Sequence, residues 1–193
     1  MADESVSHAA DRQSIRRWAK VRLWAGYVYL LCAVIFAYPQ TVRVIVGLVL
    51  IIVGAAIRLI ASSTLVKDRE LCIQGIYSLT RNPLYLGSAL VGLGFAVLAS
   101  SIWILLGYIV VLVPIYWRMI VLEERYLLKL FPDAYSAYRK SVPAFFPAIK
   151  PSAWIPTTMD RERLVGSREL ISTLAFLLLA AILLIWHRSW LPL

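Results

Sequence analysis

This sequence has little charge. Asp, Glu, Lys and Arg together make up 16% of its 193 residues, against 61% hydrophobic residues, and the mean hydropathy is +0.75. That scarcity excludes an ordinary soluble domain. The few charges are clustered, and long uncharged runs alternate with short basic stretches. This is the pattern of a polytopic membrane protein. Cysteine is nearly absent too. Cys32 lies inside an apolar run and Cys72 beside a charged loop. Two isolated thiols exclude a metal site built from paired ligands at short spacing. They also sit at different membrane levels, one of them on the reducing side, so no disulfide is expected. No linker is long enough to separate two domains, and no internal repeat or low-complexity tract is present. No secretory cleavage site follows the first apolar run, which therefore reads as a retained span. The net charge of +9 comes with no nucleic-acid motif. It fits basic loops lying next to anionic lipid headgroups.

What is there is a series of apolar runs. The first twenty residues are polar, then basic, and their beginning reads as disordered. Span one covers about 21–38, and Pro39 ends it. Span two, about 41–61, follows so closely that the two should form a tight antiparallel hairpin. A polar segment, 62–82, precedes span three at about 84–99, where Gly87, Gly92 and Gly94 with Ser88 and Ala89 offer a small-residue face. Ser100 and Ser101 turn the chain into span four, about 102–122, with a kink expected at Pro114. An amphipathic stretch from Glu123 runs to Pro132. The region 143–168 carries four prolines and interfacial aromatics, so it should lie along the membrane surface. Span five covers about 169–187. The expected fold is all-α, a polytopic membrane protein with about five transmembrane helices. Lys and Arg set the orientation. Five lie at or before Arg22, Lys67, Arg69 and Arg81 lie in the 62–82 segment, and nine lie in 118–168. With five spans all three groups share one side, giving a cytoplasmic N-terminus and an outside C-terminus. Arg43 and Arg58 lie near span ends, where they can snorkel. The compact length favours a prokaryotic inner membrane.

One thirteen-residue stretch, 75-GIYSLTRNPLYLG-87, packs two tyrosines, an arginine, an asparagine and a proline into the mouth of a membrane segment. Spans three and four form a hairpin, so topology brings this stretch to the same face as Arg118, Glu123 and Glu124. Each residue alone has a structural explanation. Arg81 can anchor a loop, Tyr77 and Tyr85 can sit in an aromatic belt, and Pro83 can start a helix at no cost. An acidic pair at the end of a span, opposite Arg81 and Asn82, points instead to a polar ligand.

This stretch, a helical hairpin and then 123-EERYLLKLFPDAYSAYRKSVPAFFP-147 together resemble the isoprenylcysteine carboxyl methyltransferase and phospholipid methyltransferase superfamily of integral membrane enzymes. The likeness covers about 65–147. It implies a cytosolic S-adenosylmethionine (SAM) site at the feet of the hairpin, with a lipid-like acceptor arriving sideways from the bilayer. By the family pattern Tyr77, Asn82, Pro83 and Tyr85 line the cofactor pocket and Glu123 contacts the cofactor. Arg69, Glu70, Leu71 and Cys72 fall at its adenosine end. Arg81, Glu123 and Arg118 are the candidates for the catalytic positions. A carboxylate and aromatic faces suit the ribose hydroxyls, ammonium and sulfonium of such a cofactor. The sequence departs from the pattern at four places. Asn82 and Arg69 stand where relatives carry His. Met119 stands where prenyl-protein members carry an acceptor-binding arginine, and its neighbour Arg118 points about 100° away on a helix. Pro132 replaces a glycine.

Three functions follow from these residues. The first is SAM-dependent carboxyl O-methylation of a prenylcysteine-type substrate, which calls for Arg81 or Arg118 turned inward. The second is N-methylation of a phospholipid amine, which calls for a free carboxylate such as Glu124. The third is an NADPH-dependent membrane reductase of related architecture, for which no basic cluster for the 2′-phosphate is evident. The implied partners are membrane lipids and a lipophilic acceptor, with no nucleic acid and no metal.

Overall fold

The computed structural model describes residues 2–64, 71–148 and 168–187, with side chains from Ala10 onward and excluding that of Arg168. It is all-helical over these residues. Helix α1 runs Ala2–Ile35, α2 Thr41–Thr64, α3 Pro83–Ala99, α4 Ile102–Gly107, α5 Val113–Leu130, α6 Pro132–Ser141 and α7 Arg168–Trp186. A 3-10 turn, Gly75–Ser78, precedes α3, and a π turn, Tyr108–Leu112, joins α4 to α5 in one continuous rod. Four helical stretches are long and apolar enough to cross a membrane: Ala10–Ile35, Thr41–Thr64, Ile102–Leu130 and Glu169–Trp186. The fifth apolar helix, α3, has 17 residues, about 26 Å at 1.5 Å per residue. It is the shortest of the expected spans. Apolar side chains such as Trp24, Leu31, Ile52, Val110 and Ile185 lie exposed around the bundle, as lipid contact requires.

Three expectations are corrected. Helix α1 does not begin at the membrane but continues back through the polar N-terminal residues to Ala2. Tertiary contacts stabilise this extension. Ile15, Trp18 and Ala19 pack against Tyr85, Met119 and Ile120, Arg12 Nε donates to Tyr126 Oη at 2.8 Å, and Lys129 pairs with Asp11 at 2.6 Å. The second correction concerns the hairpin expected of spans one and two. Helix α1 lies along α5, whereas α2 has α3 as its close partner. The reason is steric. A Cβ added at Gly54 would stand 2.6 Å from the Gly87 carbonyl oxygen, and one at Gly47 2.7 Å from that of Gly94. Only glycine lets the two backbones meet so closely. Gly92 of the expected small-residue face turns elsewhere, to the Tyr108 ring. Third, the amphipathic stretch after span four is not separate from it, because α5 runs unbroken to Leu130. The rod accommodates Pro114 by widening into the π turn just before it. A proline has no N–H for the carbonyl four residues back, and the wider turn absorbs the misfit.

The main core lies between α1, α2, α3, the rod of α4, the π turn and α5, and α7, around Phe95, Leu98, Ile51, Leu112 and Leu183. At one end of the bundle the Tyr38 N–H donates to Ala99 O at 2.7 Å, and His187 Nε2 lies 3.0 Å from Val34 O. The polar residues gather at the other end. There the N-terminal half of α1, the end of α2, the start of α3, the end of α5 and the start of α7 meet.

Candidate active site at the polar end of the bundle

The site has two layers. The outer layer is a clamp on the loop before α3. Arg81 Nε and Nη2 donate to Glu124 Oε1 and Oε2 at 3.1 and 3.2 Å, and its Nη1 donates to Arg139 O at 2.9 Å. Asn82 Nδ2 donates to Glu124 Oε1 at 3.2 Å and to Ala144 O at 2.9 Å. The backbone after α6 runs alongside. Arg81 N donates to Pro143 O at 3.0 Å, Ala148 N to Leu79 O at 2.9 Å, and Thr80 Oγ1 to Phe145 O at 2.9 Å. Tyr138 Oη donates to Tyr77 O at 2.6 Å. All three Arg81 nitrogens therefore have partners within the protein. Glu124 accepts from both Arg81 and Asn82.

The inner layer lies one helical step away. Tyr85 Oη donates to Glu123 Oε1 at 2.7 Å. Tyr85 is buried against Met119 and Ile120, with Tyr116 tilted against it at 6.2 Å. The Arg22 guanidinium of α1 lies 5.5 Å from the centre of the Tyr85 ring, a cation–π distance. Pro83 is fully buried at the first position of α3. Consecutive helical residues diverge by about 100°. That rotation is why Glu123 faces the tyrosines while Glu124 faces the clamp.

The 3-10 turn brings Tyr77 to the same place. Burial raises its phenol pKa, and the Cys72 thiol, Tyr138, Glu123 and Glu169 push in the same direction. Burial likewise raises the phenols of Tyr135 and Tyr138. Cys72 Sγ donates to Thr64 O at 3.5 Å, and burial raises the thiol pKa. Leu71 packs against Tyr135 and Tyr138. Of the sequence-derived candidates, Tyr77, Asn82, Pro83, Tyr85 and Glu123 thus converge, with Leu71 and Cys72 at the flank. Arg81 is there too, in the clamp. Arg118 is exposed, 5.9 Å over the Trp18 ring on the α1 side, while Met119 faces inward. Arg69 and Glu70 lie outside the described residues.

Sequence reasoning missed one group. Arg58 does not snorkel outward. Its guanidinium turns into the bundle, donates to Ser88 Oγ and pairs with Glu169 of α7. A signal for this was present. Gly47, Ile51, Gly54 and Arg58 recur at alternating spacings of four and three residues, so they share one helix face, and that face meets α3. Among the described residues no group of His, Cys, Asp and Glu could hold a metal ion.

A membrane helix bundle with a hairpin-foot site defines a class, and comparison with known proteins shows what it resembles. Residues 42–134 match the phospholipid methyltransferase family. The chain is 35% identical over 96 residues to the protein-S-isoprenylcysteine O-methyltransferase of Schizosaccharomyces pombe, covering 50% of this chain and 41% of that protein. It is 32% identical over 83 residues to the cobalt-zinc-cadmium resistance protein CzcN of Cupriavidus metallidurans, covering 43% of this chain and 38% of that protein. The chain thus matches less than half the length of either relative. No solved structure matches it. Over residues 42–134 this chain is similar to the phospholipid methyltransferase family, and over half its length to an isoprenylcysteine methyltransferase.

Proposed function

We propose that the protein transfers a methyl group from SAM to the headgroup of a lipid-like acceptor, most specifically to a carboxylate oxygen of a prenylcysteine-type molecule. The observation that carries this reading is the Tyr85–Glu123 pair, set between α3 and α5 within the family-matched segment. The local chemistry fits the cofactor. Glu123 is a half-buried carboxylate among Tyr77, Tyr85 and Tyr116. Carboxylate and aromatic faces together suit a nucleoside with hydroxyls, an ammonium and a sulfonium. Glu123 and Tyr85 would hold the cofactor, with Tyr77, Asn82 and Pro83 shaping the wall and Leu71 and Cys72 the flank. When bound, SAM supplies an electrophilic methyl group on sulfur.

The protein's own contribution is positioning. The clamp through Arg81, Asn82 and Glu124 fixes the loop, and Pro83 fixes the start of α3. The tyrosine cluster excludes water. An acceptor carboxylate oxygen forms its new bond to the methyl carbon as the sulfur–carbon bond breaks, and the electron pair stays on sulfur. No proton need be removed from a carboxylate, so no general base is required. Alignment of the two reactants supplies most of the rate. Glu124 bears on the choice of acceptor. The amine alternative calls for a free carboxylate, and this one is already committed to Arg81 and Asn82. The named function of the yeast relative points the same way.

The test is calorimetric binding of SAM, S-adenosylhomocysteine and NADPH to the purified full chain in detergent. SAM and its product should bind and NADPH should not. Binding of NADPH alone would assign the fold to a reductase and overturn the proposal.

A further inference from the structure

Two buried polar atoms among the described residues lack a hydrogen-bond partner, Arg58 Nε and Thr173 Oγ1. Both belong to the seam between α2 and α7. Arg58 pairs with Glu169 and lies 5.7 Å over the Phe176 ring. Thr173 sits between those two α7 residues, one turn past Glu169, on the same helix face. An orphaned guanidinium N–H inside a bilayer is costly, because no water is at hand to satisfy it.

The side chain is also held there by design of the backbone. A Cβ on Gly87 would stand 2.7 Å from Arg58 Cγ. Glycine at that position is therefore what lets the arginine cross α3 and reach Ser88. Ser88, which receives the Arg58 guanidinium, stands three residues past Tyr85 on α3, and so shares a helix face with the tyrosine that donates to Glu123. The seam thus adjoins the inner layer of the candidate active site. The other arginines expected to receive an acceptor carboxylate are elsewhere. Arg81 is bonded through all three nitrogens and Arg118 is exposed beside Trp18.

We infer that Arg58 and Thr173 form the acceptor subsite, in which Arg58 Nε and the Thr173 hydroxyl donate to an anionic oxygen of the acceptor headgroup, with Glu169 holding the guanidinium in place. The inference rests on the proposed methyl transfer and assigns its acceptor chemistry. Arg58 Nε can only donate and the threonine hydroxyl can donate, so the seam selects an oxygen acceptor and not an ammonium. An anionic oxygen could belong to the methyl acceptor or to a membrane phospholipid. It is assigned to the acceptor because Ser88, which holds Arg58, lies one helical turn from Tyr85 of the inner layer.

The test needs no turnover. Binding of N-acetyl-S-farnesylcysteine and of its methyl ester to the full chain is measured in neutral detergent, with phosphatidylglycerol and phosphatidylcholine compared in parallel. The wild type should prefer the acid over the ester by about tenfold, the ratio expected for one charge-assisted hydrogen bond. Thr173→Val and Arg58→Lys should each reduce that preference severalfold and leave SAM affinity within about twofold. Thr173→Val keeps the test valid should the Arg58 variant fail to fold. A preference unchanged in Thr173→Val, or absent from the wild type, overturns the inference. So does a preference for phosphatidylglycerol that depends on these residues without any preference for the acid, since that assigns the seam to a membrane lipid. Failure of SAM to bind would refute the methyl-transfer reading separately, because the acid-to-ester comparison is made without cofactor.

Discussion

Glu123 and Glu124 are neighbours in sequence, and replacing each by Gln should produce opposite phenotypes. Glu124 faces Arg81, whose side chain is 8% exposed against 15% for Glu124. Its carboxylate receives two guanidinium N–H groups and the Asn82 amide. Gln can still accept there, but without charge. Charge-assisted hydrogen bonds contribute about 1.5–3 kcal/mol and neutral ones about 1 kcal/mol. Two weakened guanidinium contacts, with Arg81 left without its counter-charge, cost about 2–3 kcal/mol, below the 3–5 kcal/mol of complete removal of a partner. For a chain of this size that lowers Tm by about 4–12 °C. Glu123→Gln still accepts the Tyr85 hydroxyl, so its Tm should stay within about 2 °C. It should bind SAM at least about tenfold more weakly, because a charged acceptor is replaced by a neutral one. Thermal unfolding in detergent and calorimetry of the same two variants decide the matter. Equal losses of Tm, or wild-type SAM affinity in Glu123→Gln, would refute the division of labour between the two layers.

Three further outcomes follow from the geometry. Gly54→Ala places a methyl 2.6 Å from the Gly87 carbonyl and 2.9 Å from Val91 N. It should force α2 from α3 at a cost of about 1–3 kcal/mol, read as a lower unfolding temperature. Burial raises the folded-state pKa values of Tyr77, Tyr135 and Tyr138 above the ordinary tyrosine value of about 10. Their neutral forms therefore contribute stability that is fully present below about pH 10 and is lost as pH rises above it. Unfolding temperatures from pH 8 to 11 should be flat and then fall, and a rise across that range would contradict the burial of these phenols. Asp11→Asn breaks an ion pair whose side chains are 31% and 45% exposed. It should change stability by less than about 1 kcal/mol, and that small effect should vanish at high salt.

The sequence by itself determined the membrane setting, the number of spans and the likeness to a methyltransferase family. Hydropathy and length are local properties, so apolar runs bounded by Thr41, Pro83, Ser100–Ser101 and Trp186 mark the helices before any packing is known. The spacing of 75-GIYSLTRNPLYLG-87 against Glu123 brought the site residues to one membrane face because helices joined by a tight turn must lie antiparallel. Tertiary structure decided what local pattern cannot, namely the rotation of each helix about its axis and the choice of its neighbour. The close approach of Gly47 to Gly94 and of Gly54 to Gly87 pairs α2 with α3 and turns Arg58 inward onto Ser88. Docking on Tyr85, Met119 and Ile120 carries α1 back through residues whose composition alone gives no reason to fold. The same rotation of α5, about 100° between adjacent residues, sends Glu124 to the clamp and Glu123 to Tyr85. In sequence the two are simply a pair of glutamates.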